Sequence, residues 1–224
     1  MDLSETVSGA LQAVFFDVDG VLIDSVDIKG DCFVRVFSDF PDKRVQIRDW
    51  HERNGGVNRE DKIRSITKEV IGKYVSDVEI AKRVKEYENL VVSQVILAPE
   101  IPGAGLALRR LKGKVPLFAT SATPQDELKR ILIARGDEHF FSEIFGWPTT
   151  KKTAITSVLE KYSLSPLESV LIGDSAQDFE AARAAGVRFI LVTGQSNRQI
   201  CDADASVKDL TKLLPALAQV VGTD

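Results

Sequence analysis

The sequence has few residues of the kinds that build disulfide frameworks or histidine-based sites. Among its 224 residues there are two cysteines, Cys32 and Cys201. This number excludes a disulfide framework as the main source of stability. Two histidines, His51 and His139, are too few for a histidine-rich metal site and leave little for a catalytic triad. We therefore expect any acid chemistry to come from carboxylates.

The sequence also lacks an excess of positive charge and any long apolar run. Its 29 Lys and Arg stand against 33 Asp and Glu, and the net charge of −4 argues against an electrostatic nucleic-acid binder. The first ten residues carry no Lys or Arg, and the apolar run 90–98 is too short to span a bilayer. We expect a cytoplasmic monomer or homodimer without a nucleic-acid or membrane partner.

Short apolar runs alternate with helical patterns along much of the chain. Four such runs occur, at 13–16, 115–119, 170–172 and 189–192. Because apolar residues in these runs do not alternate with polar ones, they predict strands buried on both faces of a parallel sheet. The order of strands and helices predicts an α/β fold with a doubly wound core made of residues 1–24 and 103–224.

The stretch 25–102 has a different pattern of apolar and charged residues. Strand-like runs are scarce there, and charged residues recur among apolar ones at helical spacing, most clearly over 77–95. We predict a helical cap domain inserted after the first strand. In the core, Thr123 followed by Pro124 and Asp126 predicts a helix start, with proline in the first turn.

Polar residues follow three of the apolar runs directly. Asp17 and Asp19 come after the first run, Ser121 after the second and Asp174 after the third. Ligands of open α/β sheets bind outside the carboxyl ends of the strands, which is where these residues are expected. Asp17 and Asp19 could form only an Asx turn, but carboxylates this close repel each other unless a cation or a proton shares the site. Asp17 is therefore a candidate nucleophile, a candidate metal ligand, or both.

Three other candidates have competing structural interpretations. Asp178 lies three residues after Ser175, so it either caps its helix or joins a cation site with Asp174. Ser121 is either an ordinary residue at a strand end or a ligand for a phosphate oxygen. Lys151 and Lys152 begin a predicted helix capped by Thr149 or Thr150, where positive charge opposes the helix dipole. A bound phosphate would explain why one of these lysines begins a helix, because it would meet the lysine charge and the free amide groups together. The spacing does not show which of the two lysines has this role.

Together these stretches resemble a known family. The matching segments are 16–25 (FDVDGVLIDS), 120–123 (TSAT), Lys151 and 173–178 (GDSAQD). In this order and spacing they are similar to the motifs of the haloacid dehalogenase superfamily of phosphotransferases. The branch they most resemble contains phosphoglycolate phosphatase and β-phosphoglucomutase and carries a helical cap between the first two motifs.

The resemblance implies a role for each core residue. Asp17 would attack phosphorus and form an aspartyl-phosphate, and Asp19 would act as general acid and then as general base. Ser121 and Lys151 would hold the phosphoryl oxygens. The resemblance also implies Mg²⁺ as cofactor, held by the Asp17 side chain, the Asp19 backbone carbonyl and Asp174, with Asp178 in support.

The cap supplies the candidates for substrate selection. The segment 54–62 resembles the cap loop that reaches substrate in β-phosphoglucomutase-like proteins, and Asn58 is placed to cap the next helix. The surrounding stretch 43–73 has a local charge of +4, which suits an anionic small molecule but is also typical of a solvated helix surface. The candidate substrate-binding residues of the cap are Asn54, Arg59 and Lys62. Gly20 and Ala122, which lie in the core motifs, are further candidates.

We therefore predict a Mg²⁺-dependent phosphatase that acts on a small phosphorylated metabolite. Two alternatives remain at this stage: a phosphomutase that uses the same intermediate, and a non-catalytic protein that binds a phosphorylated ligand. The last would be expected to have lost one of the acids or the lysine, and all are present.

Overall fold

A computed structural model describes residues 11–54, 57–194 and 202–221. The expectations about the first ten residues, about Gly55 and Gly56 in the cap loop, and about Cys201 lie outside this part of the chain. The chain divides into two compact units. One consists of Met1–Asp24 with Pro99–Asp224, and the other of Ser25–Ala98.

The first unit is built on a six-stranded sheet. In chain order the strands are β1 (Ala13–Asp17), β2 (Leu117–Pro124), β3 (Glu143–Trp147), β4 (Ser169–Gly173), β5 (Arg188–Val192) and β6 (Ala205–Val207). They lie in the order β3-β2-β1-β4-β5-β6, and every neighbouring pair is parallel. The predicted α/β fold with a doubly wound parallel sheet is confirmed. The sequence patterns did not identify β3 and β6.

Helices follow the strands and form the second unit. In the described residues the α-helices are α1 (Val26–Val36), α2 (Arg44–Arg53), α3 (Arg59–Ser65), α4 (Asp77–Leu97), α5 (Ala104–Leu111), α6 (Gln125–Arg135), α7 (Lys151–Tyr162), α8 (Ala176–Ala185) and α9 (Leu213–Val221). None of these helices has both the length and the apolar character that a membrane crossing requires.

The central strands are buried on both faces, as the apolar runs predict. All five residues of β1 and all five of β4 are buried. On one face, Phe15 stacks on Phe118 with ring centroids 5.0 Å apart, in a cluster that includes Ile155 of α7 and Ala182 of α8. Burial of such apolar surface is the main contribution to the stability of this unit.

The helical unit ends at residue 98, whereas the sequence analysis expected its end at residue 102. The connecting residues pair with the sheet-containing unit. The amide of Asp24 donates to the carbonyl of Pro99 at 2.9 Å, and the amide of Ile101 donates to the carbonyl of Leu22 at 2.9 Å. Because these backbone hydrogen bonds satisfy polar groups within the first unit, the return segment belongs to it.

The helix predicted from Thr123 and Pro124 is present as α6, but it begins one residue later than this signal indicates. Thr123 lies within β2, which extends to Pro124, and α6 begins at Gln125. Pro124 pairs with Trp147 of β3 after a register shift. The extended conformation continues past the expected strand end because these residues still pair with β3.

The helical unit has its own interior. The rings of Phe33 in α1 and Tyr87 in α4 lie 4.2 Å apart, and the His51 ring lies 4.6 Å from that of Phe33. The predicted helix over 77–95 is present as α4. The side chain of Asn58 caps α3 by accepting a hydrogen bond from the amide of Asp61 at 3.1 Å, as its sequence position predicts.

Candidate active site

The carboxyl ends of β2, β1 and β4 lie side by side in the sheet. In the register, Asp17 pairs with Thr120, and Phe16 pairs with Ile172. The residues that follow these positions therefore gather at one edge. Carboxylate oxygens of Asp17, Asp174 and Asp178 all lie within 4.8 Å of one another. The sequence analysis predicts this meeting of acids, and the sheet order is what produces it.

Asp17 is the most buried acid of the first motif. It is only 5% exposed, and its Oδ1 accepts a hydrogen bond from the amide of Val18 at 2.8 Å. Burial raises the pKa of Asp17 well above its ordinary value. Lys151 acts in the opposite direction, while neighbouring acids, of which Asp178 has the largest effect, raise the pKa further. The fold therefore holds Asp17 in surroundings that disfavour its ionised form unless positive charge lies beside it.

Lys151 supplies positive charge to this cluster. It is the first residue of α7, which Thr150 caps by accepting a hydrogen bond from the amide of Thr153 at 3.2 Å. The Nζ atom of Lys151 lies 2.9 Å from Oδ1 of Asp17 and also contacts Asp178. Burial acts to lower the pKa of Lys151, but the two carboxylates outweigh it and the pKa is raised. Lys152 is exposed, so the structure distinguishes two lysines that spacing could not.

Asp178 has the capping role, and it also lies among the acids of the candidate cation site, where its role stays a prediction. With Ser175 it forms the capping box of α8. Its Oδ2 accepts hydrogen bonds from Ser175 Oγ at 2.5 Å and from the amide of Asp174 at 3.3 Å, while its Oδ1 faces Lys151. A Cβ atom on Gly173 would lie 2.4 Å from Cβ of Asp178. The close approach of this acid therefore requires glycine at that position.

Asp19 faces the hydroxyl groups of β2. The Oγ atom of Ser121 donates to Oδ2 of Asp19 at 3.1 Å, and the Oγ1 atom of Thr123 donates to the same oxygen at 3.3 Å. The sequence analysis gave Ser121 a role in the site, but gave Thr123 none beyond a helix start and membership of the matched segment 120–123. The available signal was spacing, because residues two apart on a strand, such as Ser121 and Thr123, share a face.

Comparison with known proteins agrees with this geometry. The family model described as haloacid dehalogenase-like hydrolase matches residues 14–192. The chain belongs to the haloacid dehalogenase-like hydrolase family.

Relatives in this family carry phosphatase names. The chain is 30% identical over 186 residues to a "phosphorylated carbohydrates phosphatase" of Thermotoga maritima, covering 80% of this chain and 84% of the relative. It is 26% identical over 218 residues to a "phosphoglycolate phosphatase" of Pseudomonas putida, covering 92% of this chain and 79% of the relative. The protein is a phosphoric monoester hydrolase of the haloacid dehalogenase-like family.

A solved structure shares the fold. The YfnB protein of Bacillus subtilis, solved with bound magnesium, superimposes with a TM-score of 0.72 at 18% identity. The match covers 92% of this chain and 98% of that one. At this identity the likeness concerns the fold alone.

Two predicted substrate contacts of this hydrolase adjoin the acids. Gly20 has a φ of 82°, a left-handed conformation that favours glycine, and its amide donates to the carbonyl of Ile23 at 2.8 Å. Ala122 lies in β2 between the two hydroxyl residues and is partly exposed. Their contact with substrate stays a prediction.

The predicted cap contacts of this hydrolase belong to the helical unit Ser25–Ala98. Arg59 lies over the ring of Tyr87, with its guanidinium carbon 4.6 Å from the ring centroid. Lys62 is only 3% exposed, and its Nζ lies 3.3 Å from Nδ1 of His51. Lys62 is therefore buried, whereas Arg64 and Lys68 of the same basic stretch are exposed, as the alternative interpretation of a solvated surface expects.

Asn54, the third predicted cap contact, lies at the C-terminal end of α2. Its side-chain amide donates to the carbonyl of Trp50 at 2.7 Å, which fixes the side chain against its own helix. The roles of the cap residues toward substrate stay predictions.

Proposed function

We propose that this protein is a Mg²⁺-dependent phosphatase that hydrolyses a small phosphorylated metabolite through an aspartyl-phosphate on Asp17. The observation that carries the proposal is the placement of Asp17 itself. A buried carboxylate at the end of a parallel strand lies 2.9 Å from a lysine and within a cluster of acids. Folding gains nothing from concentrating acids in this way, which is typical of a functional site.

The donor set fits Mg²⁺. Three carboxylates meet with one lysine among them, so their negative charge exceeds the positive charge beside it. Mg²⁺ prefers oxygen ligands of this kind. Asp17 and Asp174 would hold the cation with the backbone carbonyl of Asp19, and Asp178 would support them. When bound, Mg²⁺ supplies positive charge to the phosphoryl group.

The proposed first step transfers the phosphoryl group to the protein. A carboxylate oxygen of Asp17 attacks phosphorus, and the bond between phosphorus and the ester oxygen breaks. Asp19 donates a proton to the departing oxygen, so the product leaves as an alcohol. Lys151 and Ser121 hold the phosphoryl oxygens, where charge is concentrated during the transfer.

The second step returns Asp17 to its starting state. Asp19, now ionised, accepts a proton from a water molecule that attacks phosphorus. The bond between phosphorus and the Asp17 oxygen breaks, and inorganic phosphate is released. The same pair of acids therefore performs both steps, which accounts for a site without histidine.

The substrate is proposed to be a small phosphorylated carbohydrate or carboxylic acid. The names of the two relatives support this class. Arg59 and Lys62, two cations of the cap, are proposed to select it together with the neutral Asn54, because positive charge suits an anionic metabolite.

The test compares p-nitrophenyl phosphate hydrolysis with and without Mg²⁺, for wild type and Asp17→Asn. Activity is expected only in wild type with Mg²⁺. Asp126→Asn, which changes an exposed acid in the first turn of α6, is the matched control and should retain activity. Equal rates for wild type and Asp17→Asn in all conditions would contradict the mechanism.

A panel of phosphorylated metabolites then identifies the substrate class. Release of inorganic phosphate supports the phosphatase. Conversion of a sugar phosphate to its isomer without phosphate release would instead identify a phosphomutase, the alternative that uses the same aspartyl-phosphate.

A further inference from the structure

Two hydroxyl groups converge on one oxygen of Asp19. Ser121 Oγ donates to Asp19 Oδ2 at 3.1 Å, and Thr123 Oγ1 donates to it at 3.3 Å. We infer that Thr123 is a positioning residue, which orients the Asp19 carboxyl group for proton transfer to the leaving group. This inference rests on the proposed function, in which Asp19 is the general acid.

The strand geometry directs both hydroxyls to the same place. Ser121 and Thr123 are two residues apart in β2 and are 3% and 5% exposed. The amide of Thr123 donates to Oγ of Ser121 at 3.1 Å, so the serine oxygen is used as an acceptor while its proton faces Asp19. Hydrogen bonds thus join Ser121, Thr123 and Asp19 to one another, and such a network restricts the rotation of their side chains.

The backbone at Thr123 is itself held in place. The side chain of Gln125 links to β3 twice: it donates to the carbonyl of Ile144 at 2.9 Å and accepts from the amide of Gly146 at 2.5 Å. A Cβ atom on Gly146 would lie 2.6 Å from the carbonyl oxygen of Thr123. Close packing against β3 therefore fixes the backbone of Thr123, and with it the position of its hydroxyl.

The consequence concerns the geometry of proton transfer. Two donors on Oδ2 fix the rotation of the Asp19 carboxyl group, so that its proton is exchanged with the leaving oxygen at Oδ1. In the proposed reaction Ser121 turns toward a phosphoryl oxygen. Thr123 is then the residue of this pair that still orients Asp19. A small loss of orientation at a reacting group is enough to lower a rate by about 10²-fold.

The test uses leaving groups that differ in their need for a proton. The p-nitrophenolate ion leaves without one, whereas an alkoxide must be protonated as it leaves. We compare kcat/KM, which reports the first phosphoryl transfer, for p-nitrophenyl phosphate and for the alkyl phosphate of the panel that wild type hydrolyses fastest. The variants are Thr123→Val, which keeps the shape without the hydroxyl, and Thr123→Ser, which keeps the hydroxyl.

We expect Thr123→Val to lower the ratio of kcat/KM for the alkyl phosphate to that for p-nitrophenyl phosphate by about 10-fold or more. Thr123→Ser should restore the ratio to within about threefold of wild type, because general acid catalysis depends on the hydroxyl donor. Thermal melts of both variants show whether the fold is kept. A merely structural role would lower both rates together and leave the ratio unchanged.

Two results would overturn the inference, and they differ in what they imply for the function. An unchanged ratio in Thr123→Val, with wild type active and Asp17→Asn inactive, removes the role of Thr123 and leaves the phosphatase mechanism intact. Equal activity of wild type and Asp17→Asn toward both substrates removes the mechanism and the positioning role together.

Discussion

The Nζ atom of Lys151 lies 2.9 Å from Oδ1 of Asp17, and the same nitrogen contacts Asp178. One cation thus joins the proposed nucleophile to the acid that caps the neighbouring helix. Because Lys151 begins α7, its charge also opposes the dipole of its own helix. The contacts of Lys151 with Asp17 and Asp178 offset this local cost, which is why the lysine is informative about function.

Replacing Lys151 should therefore remove activity, whereas replacing its neighbour should not. We expect Lys151→Met to lower kcat for p-nitrophenyl phosphate by about 10²–10³-fold, the usual effect of losing one group that stabilises transition-state charge. Lys152→Met is the matched control, since Lys152 is exposed and one residue away. Steady-state kinetics in Mg²⁺ measure both. Equal losses in the two variants would contradict the assignment of Lys151.

Asp17→Asn should stabilise the metal-free protein while it removes activity. Burial raises the pKa of Asp17, so the folded state favours the neutral form, and ionisation at pH 7 lowers the free energy of unfolding. The asparagine amide is neutral, so the variant has no buried charge at this position. Lys151 still forms its ion pair with Asp178 in the variant. We therefore expect a gain in Tm for Asp17→Asn over wild type when no metal is bound.

Thermal melts in EDTA measure this gain, and the sign of its pH dependence is fixed. Below the ordinary carboxyl pKa of 3.8, Asp17 is protonated in the folded and unfolded states alike, so the advantage of the amide should vanish on acidification. Mg²⁺ should also reduce this gain, because in the proposed site the cation would bind the wild-type carboxylate. A lower Tm for Asp17→Asn in EDTA at pH 7 would show that the carboxylate stabilises the fold.

Gly146→Ala should disturb the site through the backbone. The added Cβ would lie 2.6 Å from the carbonyl oxygen of Thr123 and 2.7 Å from Cα of Gln125, so the end of β2 must move. We expect a loss of about 1–3 kcal/mol in the free energy of unfolding, as for other overpacked positions. We also expect the same fall in the alkyl-to-aryl ratio of kcat/KM as in Thr123→Val. Urea melts and the two-substrate assay test these effects. A stability loss without a change in the ratio would separate packing from the orientation of Asp19.

The helical unit contains an ion pair with a defined pH dependence. Arg83 donates to Asp39 through Nη2 at 2.8 Å, and this hydrogen bond lowers the pKa of Asp39 from its ordinary 3.8. Because the folded-state pKa is the lower one, the stabilisation is complete above pH 3.8 and is lost as the pH falls through the folded-state value. Asp39 is 54% exposed at its side chain, so the pair contributes only about 0.2–1 kcal/mol.

Urea melts of Asp39→Asn between pH 7 and pH 2.5 test this pair. The variant should be less stable than wild type at neutral pH, and the difference should close at the acid end. Asp42→Asn, which changes an exposed acid in the neighbouring 3₁₀ turn, is the matched control. A difference between wild type and Asp39→Asn that persists unchanged at pH 2.5 would contradict the ion pair as its cause.

The sequence by itself determined the class of the fold and most of the acids of the site. A strand buried on both faces of a sheet can be recognised in the sequence, because most of its residues are apolar. The acids at the ends of β1 and β4 could be predicted for the same reason, since the end of an apolar run marks the edge of the sheet. These are local features, and each is visible within a few residues.

Tertiary structure decided what depends on contacts between distant segments. Lys151 and Lys152 are equivalent in sequence until α7 docks and turns one of them toward Asp17. The same holds for Thr123, which local rules assign to a helix start. Pairing with β3 keeps it extended and places its hydroxyl on Asp19. Such positions are set by the order of strands in the sheet, and that order follows from packing of the whole chain, which no short window of sequence contains.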